Sequence, residues 1–205
     1  MASMARSGQS NLGKTISGIV SGLLLFVLIR FLLGNLIATH MRNWQGELRE
    51  SKAKLNLCQM PYDRFVVLTR AQKNAFECGQ YELARSYASE LLRLAPDFQS
   101  DWNYGNAIHD GHVVLGRIAL IHGLRKEACQ ELLLAGKTPG SPTLSSFGPN
   151  MALARDLLKD GQIDTVCAYF AECDRFWHSG HRTLSRWKFL ARCHVMPDFG
   201  TNLIY

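Results

Sequence analysis

Residues Ile16–Ala38 read ISGIVSGLLLFVLIRFLLGNLIA, twenty-three positions with one charge, Arg30. A helix of about 20 apolar residues spans the hydrocarbon core of a bilayer. No comparably apolar run follows in the chain. The run therefore predicts a single-pass membrane helix over 16–39, preceded by a polar tail over 1–15. It confines the rest of the chain to one domain tied to a bilayer. A cleaved secretory signal is a poorer fit. Ile16–Ile29 has the right length for its apolar region, but Arg30 and eight more mostly apolar residues follow, with no small-residue cleavage site. Arg30 costs roughly 2–3 kcal/mol at mid-bilayer on insertion scales, a cost that snorkelling or a partner helix offsets.

Gly18 and Gly22 form a G-x-x-x-G pattern within this run. Glycines four apart share a helix face and let two helices pack closely in lipid. They carry an alternative expectation, a homo-oligomer assembled through the membrane helix. Arg6 and Lys14 precede the run, and Arg42, Arg49, Lys52 and Lys54 follow it closely. The positive-inside rule then places the larger C-terminal part on the cytoplasmic side. Trp44, Leu48 and Leu55 recur at helical spacing, which predicts a helical stalk over 40–60 with Trp44 near the interface.

Lys plus Arg number 23 against 17 Asp plus Glu. Three of these cations, Arg6, Lys14 and Arg30, lie in or before the apolar run, leaving 20 against 17 behind it. That excess is too small to point to a nucleic acid partner. The six cysteines, Cys58, Cys78, Cys129, Cys167, Cys173 and Cys193, are scattered with no C-x-x-C pair. They read as reduced thiols packed as small hydrophobes, in keeping with a cytoplasmic domain.

Gly8–Thr15 reads GQSNLGKT and matches the phosphate-loop pattern letter for letter. The chemistry needs a strand feeding the loop and a soluble helix leaving it. Seven residues precede Gly8, and the helix after Thr15 would be the membrane span. The match is read as chance in a polar tail.

From Pro61 onward the apolar period is helical and strand signals are nearly absent. Phe65, Leu68, Ala71 and Ala75 share a face, Gly79 breaks it, and Tyr81, Ala84, Ala88, Leu91 and Ala95 form a second face before Pro96. This predicts a helical hairpin with small residues between its helices. The plan recurs with Leu115, Gly116 and Ala119 before Gly123, then Leu124, Ala128, Leu132 and Ala135 before Pro139. A third copy has Leu153, Ala154 and Leu157 before Gly161, then Ile163, Val166, Phe170 and Cys173.

Leu115-Gly116, Ala119, Gly123 and Ala128 in the second copy, and Gly79, Tyr81, Ala84 and Pro96 in the first, resemble the tetratricopeptide pattern over roughly residues 62 to 178. The third copy departs from it, with Val166 where that pattern has alanine. The breaker glycines are spaced by 44 and 38 residues, longer than the family's 34. The resemblance implies an all-α, right-handed stack of three hairpins over 61–178, and a concave face that binds a protein or peptide partner. Trp102–Leu120, Ala135–Met151 and Pro197–Tyr205 are also similar to segments of bacterial proteins with no assigned activity, which implies a bacterial setting.

Within the hairpins, Ser100–His122 is expected to form one long or broken helix carrying Gly105 and Gly111. Trp102, Asn103, Tyr104, Asn106 and His109 on that helix, aromatic and amide-rich, are the candidate partner-binding residues. A polar core is the competing reading for them. His109 and His112 lie three apart on one face but lack further ligands at metal spacing, and no metal or cofactor is expected. Neither G-x-S-x-G, H-E-x-x-H nor a carboxylate pair in an apolar frame is present, so no enzyme is expected. Gly136–Pro149 reads as the longest structureless stretch, more a strap than a binding loop. Residues 179–205 read as a last helix, marked by Trp187, Phe189 and Leu190, and an apolar capping tail from Phe199 to Tyr205.

Overall fold

Three glycines end three helices in the same way. Gly79, Gly123 and Gly161 have φ of 72°, 74° and 79°. After each, the next N–H reaches a carbonyl five residues back: Gln80 to Ala75, Leu124 to Ala119 and Gln162 to Leu157, each at 2.9 Å. This closure satisfies a helix-end carbonyl and requires the left-handed backbone region, which glycine enters without steric cost. The residue after each glycine then accepts the first bond of the returning helix, from Ala84, Ala128 and Val166.

The computed structural model describes residues 43–203. The predicted membrane helix over 16–39, with Gly18 and Gly22, lies outside the described residues. Among the described residues no helix is long and apolar enough to cross a membrane, and none of them is in a strand. The chain is all-α over this span. It runs α1 over 43–57, α2 (Pro61–Glu77), α3 (Tyr81–Leu94), α4 (Tyr104–Ile121), α5 (Arg125–Gly136), α6 (Pro142–Phe147), α7 (Ala152–Lys159), α8 (Ile163–Cys173) and α9 (His181–Arg192). The pairs α2/α3, α4/α5 and α7/α8 are antiparallel hairpins. Each returning helix packs on the first helix of the next pair, α3 on α4 and α5 on α7, and α9 closes on α8.

The apolar faces read from the sequence are for the most part the buried ones, with Leu124 at the N-cap of α5 and Phe189 on α9 exposed instead. Ala71, Ala75, Ala84 and Ala88 are all fully buried, as are Phe65, Leu68 and Leu91. Alanine at these crossings lets the helix axes approach, so the neighbouring large side chains interlock. The stalk predicted over 40–60 is not free-standing. Leu48 and Leu55 join the cores of the first hairpin, and Ser51 Oγ accepts a bond from buried Asn74 Nδ2 at 3.2 Å.

The helix α4 is the hub of the stack, and its glycines explain why. A Cβ at Gly105 would collide with the Gly140 carbonyl, and one at Gly116 with the Leu153 side chain. The loop after α5 and the helix α7 therefore lie directly against the α4 backbone. Neither Gly105 nor Gly111 breaks the helix, because packing on both sides outweighs their weak helix propensity of about 1 kcal/mol each.

Gly136–Pro149 is not structureless. Ser141 caps a short helix, α6, its Oγ accepting the Leu144 N–H at 3.0 Å, with Pro142 at the first helical position. The segment is bonded across α4: Thr138 Oγ1 donates to the Gly105 carbonyl at 2.8 Å and Ser141 Oγ to Asn106 Oδ1 at 2.7 Å. The C-terminal tail then docks beside it. Phe199 is buried with its ring centroid 4.9 Å from that of Trp187, Trp187 Nε1 donates to the Asp198 carbonyl at 3.0 Å, and Asn202 Nδ2 donates to the Phe147 and Pro149 carbonyls at 3.0 and 3.1 Å.

Candidate functional site

Two polar chains run outward from α4, and together they engage most of the side chains singled out for partner binding. The first is buried. Lys73 Nζ on α2 donates to Asp110 Oδ2 at 2.9 Å. Asp110 Oδ1 lies 3.0 Å from His109 Nδ1, and His109 Nε2 lies 2.9 Å from the Tyr169 hydroxyl on α8. One chain of contacts thus crosses all three hairpins. Burial alone would raise the Asp110 carboxyl. The Lys73 ammonium and the His109 hydrogen bond outweigh it and hold the group at about 2. With Asp110 ionised, His109 donates to it from Nδ1, and the Tyr169 hydroxyl that meets Nε2 also lies 3.5 Å from the Asn150 carbonyl.

An Asp–His–hydroxyl series of this kind has the order of a proton relay. Here His109 and Tyr169 are both 0% exposed, so both groups are shut off from solvent. What the chain does is hold helices in register: leaving any one member unpaired in this interior costs about 1–3 kcal/mol. Cys173, one turn beyond Tyr169, is buried as well, and burial pushes its thiol up, away from the reactive thiolate. His112 faces a different neighbour, Glu131 on α5, at 2.7 Å. Among the described residues no three His, Cys, Asp or Glu side chains are grouped to hold a metal ion.

The second chain lies at the N-terminal end of α4. Tyr62 donates to Asp101 Oδ2 at 3.0 Å, and the Asn103 N–H donates to Asp101 Oδ1 at 2.8 Å. Asn103 Nδ2 donates to Thr69 Oγ1 at 2.9 Å, and Asn106 Nδ2 to Asn103 Oδ1 at 3.0 Å. Asn103 and His109 are therefore buried and internally bonded, and Asn106 is held by the loop through Ser141. Tyr104 is half-buried against the first core.

Trp102 differs from the other four. It is 62% exposed, although Asp101 and Asn103 on either side of it are fixed by the bonds above. Through Asp101 it adjoins Tyr62, which with Met60 and Val66 at the start of α2 also carries exposed apolar surface. An exposed indole on a braced backbone loses little entropy on binding, the usual property of an interface anchor.

A third set of contacts spans the first helices of the three pairs. Arg117 on α4 donates to Glu77 Oε1 at 3.0 Å, lies 3.9 Å from Asp156 on α7, and stacks 4.1 Å from the centre of the Phe76 ring. Lys73, Arg117 and Tyr169 carry no signal in the sequence. Their partners lie 37, 40 and 60 positions away, and nothing local marks them. Against this fold and these residues, no protein-family model, curated protein or solved structure matches the chain.

Proposed function

We propose that the chain is a membrane-anchored adaptor of the tetratricopeptide-like kind, which holds a partner protein or peptide near a bilayer. The anchor is the apolar run over 16–39. The observation that carries the binding half of this reading is Trp102: a large exposed aromatic on a rigid mount, following Asp101, whose carboxylate holds the half-exposed Tyr62. Glycine-closed hairpins stacked in series, with Leu115-Gly116 at a helix crossing, support a repeat scaffold of this type. Burial of the His109–Tyr169 pair supports a scaffold over an enzyme.

The bound partner would present an apolar or aromatic side chain to Trp102, since the neighbouring amides are already bonded within the fold. The test is crosslinking in native membranes with a photoreactive group at position 102, repeated with the group at position 85 on α3. A discrete adduct from position 102, absent from position 85 and lost with Tyr62→Ala, is the expected result. Indistinguishable adducts from both positions contradict it.

A further inference from the structure

We infer that the outer face of α9 docks on an anionic lipid surface. This inference goes beyond the adaptor reading and rests on different residues. Leu184, Trp187 and Ala191 bury one face of α9 against the stack. Arg182, Arg186, Phe189 and Arg192 follow at i, i+4, i+7 and i+10 and occupy the opposite face, all exposed. Phe189 is 67% exposed, in the middle of this stripe. The helix holds no acidic residue. None of Arg182, Arg186, Lys188 and Arg192 pairs with a carboxylate among the described residues, whereas the neighbouring Arg175 pairs with Glu172 and the His181 ring meets the Asp174 carboxylate at 2.8 Å.

The stripe continues past the helix. His194 takes φ of 58° and turns the chain so that the Val195 N–H bonds the Leu190 carbonyl at 2.9 Å. Val195 and Met196 are exposed beyond it. A row of unpaired arginines about 15 Å long, with a phenyl ring between them and two apolar side chains at its end, matches an interface of phosphate headgroups over acyl chains. Phosphates meet the guanidinium groups, and Phe189, Val195 and Met196 enter the apolar boundary. Nucleic acid is the poorer match, since the charge behind the apolar run is nearly balanced, 20 against 17. The predicted span over 16–39 keeps a bilayer within reach, and α9 packs on α8 of the last hairpin whereas α1 joins the cores of the first, so this contact would give the domain a second point of attachment.

The full chain carrying Phe189→Trp tests this. It is reconstituted into vesicles of phosphatidylcholine alone and of phosphatidylcholine with phosphatidylglycerol, both with brominated acyl chains. The signal is the fluorescence of the added tryptophan, taken as the difference from the unsubstituted chain. The inference expects quenching only in the anionic vesicles, reversal in molar salt, and loss with R182E/R186E/R192E, for which partition falls roughly 100-fold or more. These side chains are exposed and unpaired, so the variants keep the helical circular dichroism of the parent. Quenching that is equal in neutral vesicles, that survives charge reversal, or that is absent from both overturns it. So does salt-sensitive binding to a DNA duplex in the absence of lipid quenching. Flotation with the neutral vesicles reports the 16–39 anchor by itself, so a chain that fails to float there but is quenched in anionic vesicles counts against the anchor alone.

Discussion

His109 and Tyr169 stand sixty residues apart in the chain, yet His109 Nε2 and the Tyr169 hydroxyl meet at 2.9 Å where solvent does not reach. The contact ties the second hairpin to the third, and through Asp110 and Lys73 it extends to the first. Apolar packing tolerates small slips between neighbouring helices. A buried hydrogen bond does not, because a slip leaves donor and acceptor without water to replace the partner.

Tyr169→Phe keeps the ring and removes the hydroxyl, leaving His109 Nε2 unpaired. The variant is expected to lose about 1–3 kcal/mol, read as a melting temperature several degrees lower. His109→Leu combined with Tyr169→Phe should cost less than the sum of the two single changes, since neither partner is then left alone. Strict additivity in that cycle contradicts the link.

Asp110 gives the fold an acid dependence whose sign is fixed. Its folded value of about 2 lies below the ordinary 3.8, so the stability it adds is complete above the ordinary value and fades as pH falls toward the folded one. The size is about 2 kcal/mol. Asp110→Asn should be less stable near neutrality, with a deficit that shrinks by about this amount between about pH 4 and about pH 2. Chemical denaturation across that window measures it, and a deficit constant with pH argues against the account.

Turn chemistry separates three substitutions. Gly123 lies in the left-handed region, with open space where an alanine methyl would stand, so Gly123→Ala is expected to cost about 1–2 kcal/mol through backbone strain alone. Gly105→Ala should cost more, because the Gly140 backbone must move. His194 holds a positive φ without being glycine, so His194→Gly is expected to stabilise the chain by up to about 1 kcal/mol. Equilibrium unfolding ranks the three, and a destabilised His194→Gly contradicts the assignment of strain there.

The sequence revealed what is periodic and local. The apolar faces of α2 to α5, the alanines between them and the glycines at 79, 123 and 161 all follow from 3.6-residue spacing and from glycine's backbone freedom. The short helix α6 was not legible, because the prolines and glycines around it outweighed the cap signal of Ser141-Pro142. The polar interior was not legible. Asn103, Asn106 and His109 look alike on a helix surface until their partners are known, and Thr69, Ser141 and Tyr169 come from three other elements. Phe189 shows the same limit in reverse: grouped with Trp187 as apolar, it lies on the opposite face of α9.

Binding and stability should separate at the N-terminal end of α4. Trp102→Ala removes an exposed ring and is expected to leave unfolding within about 0.5 kcal/mol of the parent while weakening partner capture in membranes. Asn103→Ala breaks two internal bonds and is expected to cost about 1–3 kcal/mol. The opposite pattern, a destabilised Trp102→Ala with capture intact, removes Trp102 as an anchor.

The most direct test is alkaline extraction of membranes from cells that make the full chain, beside a chain lacking residues 16–39. The account predicts that the full chain stays with the lipid pellet under conditions that strip peripheral proteins, and that the shortened chain is released while retaining its helical circular dichroism. A full chain released into the supernatant, monodisperse without detergent, contradicts it.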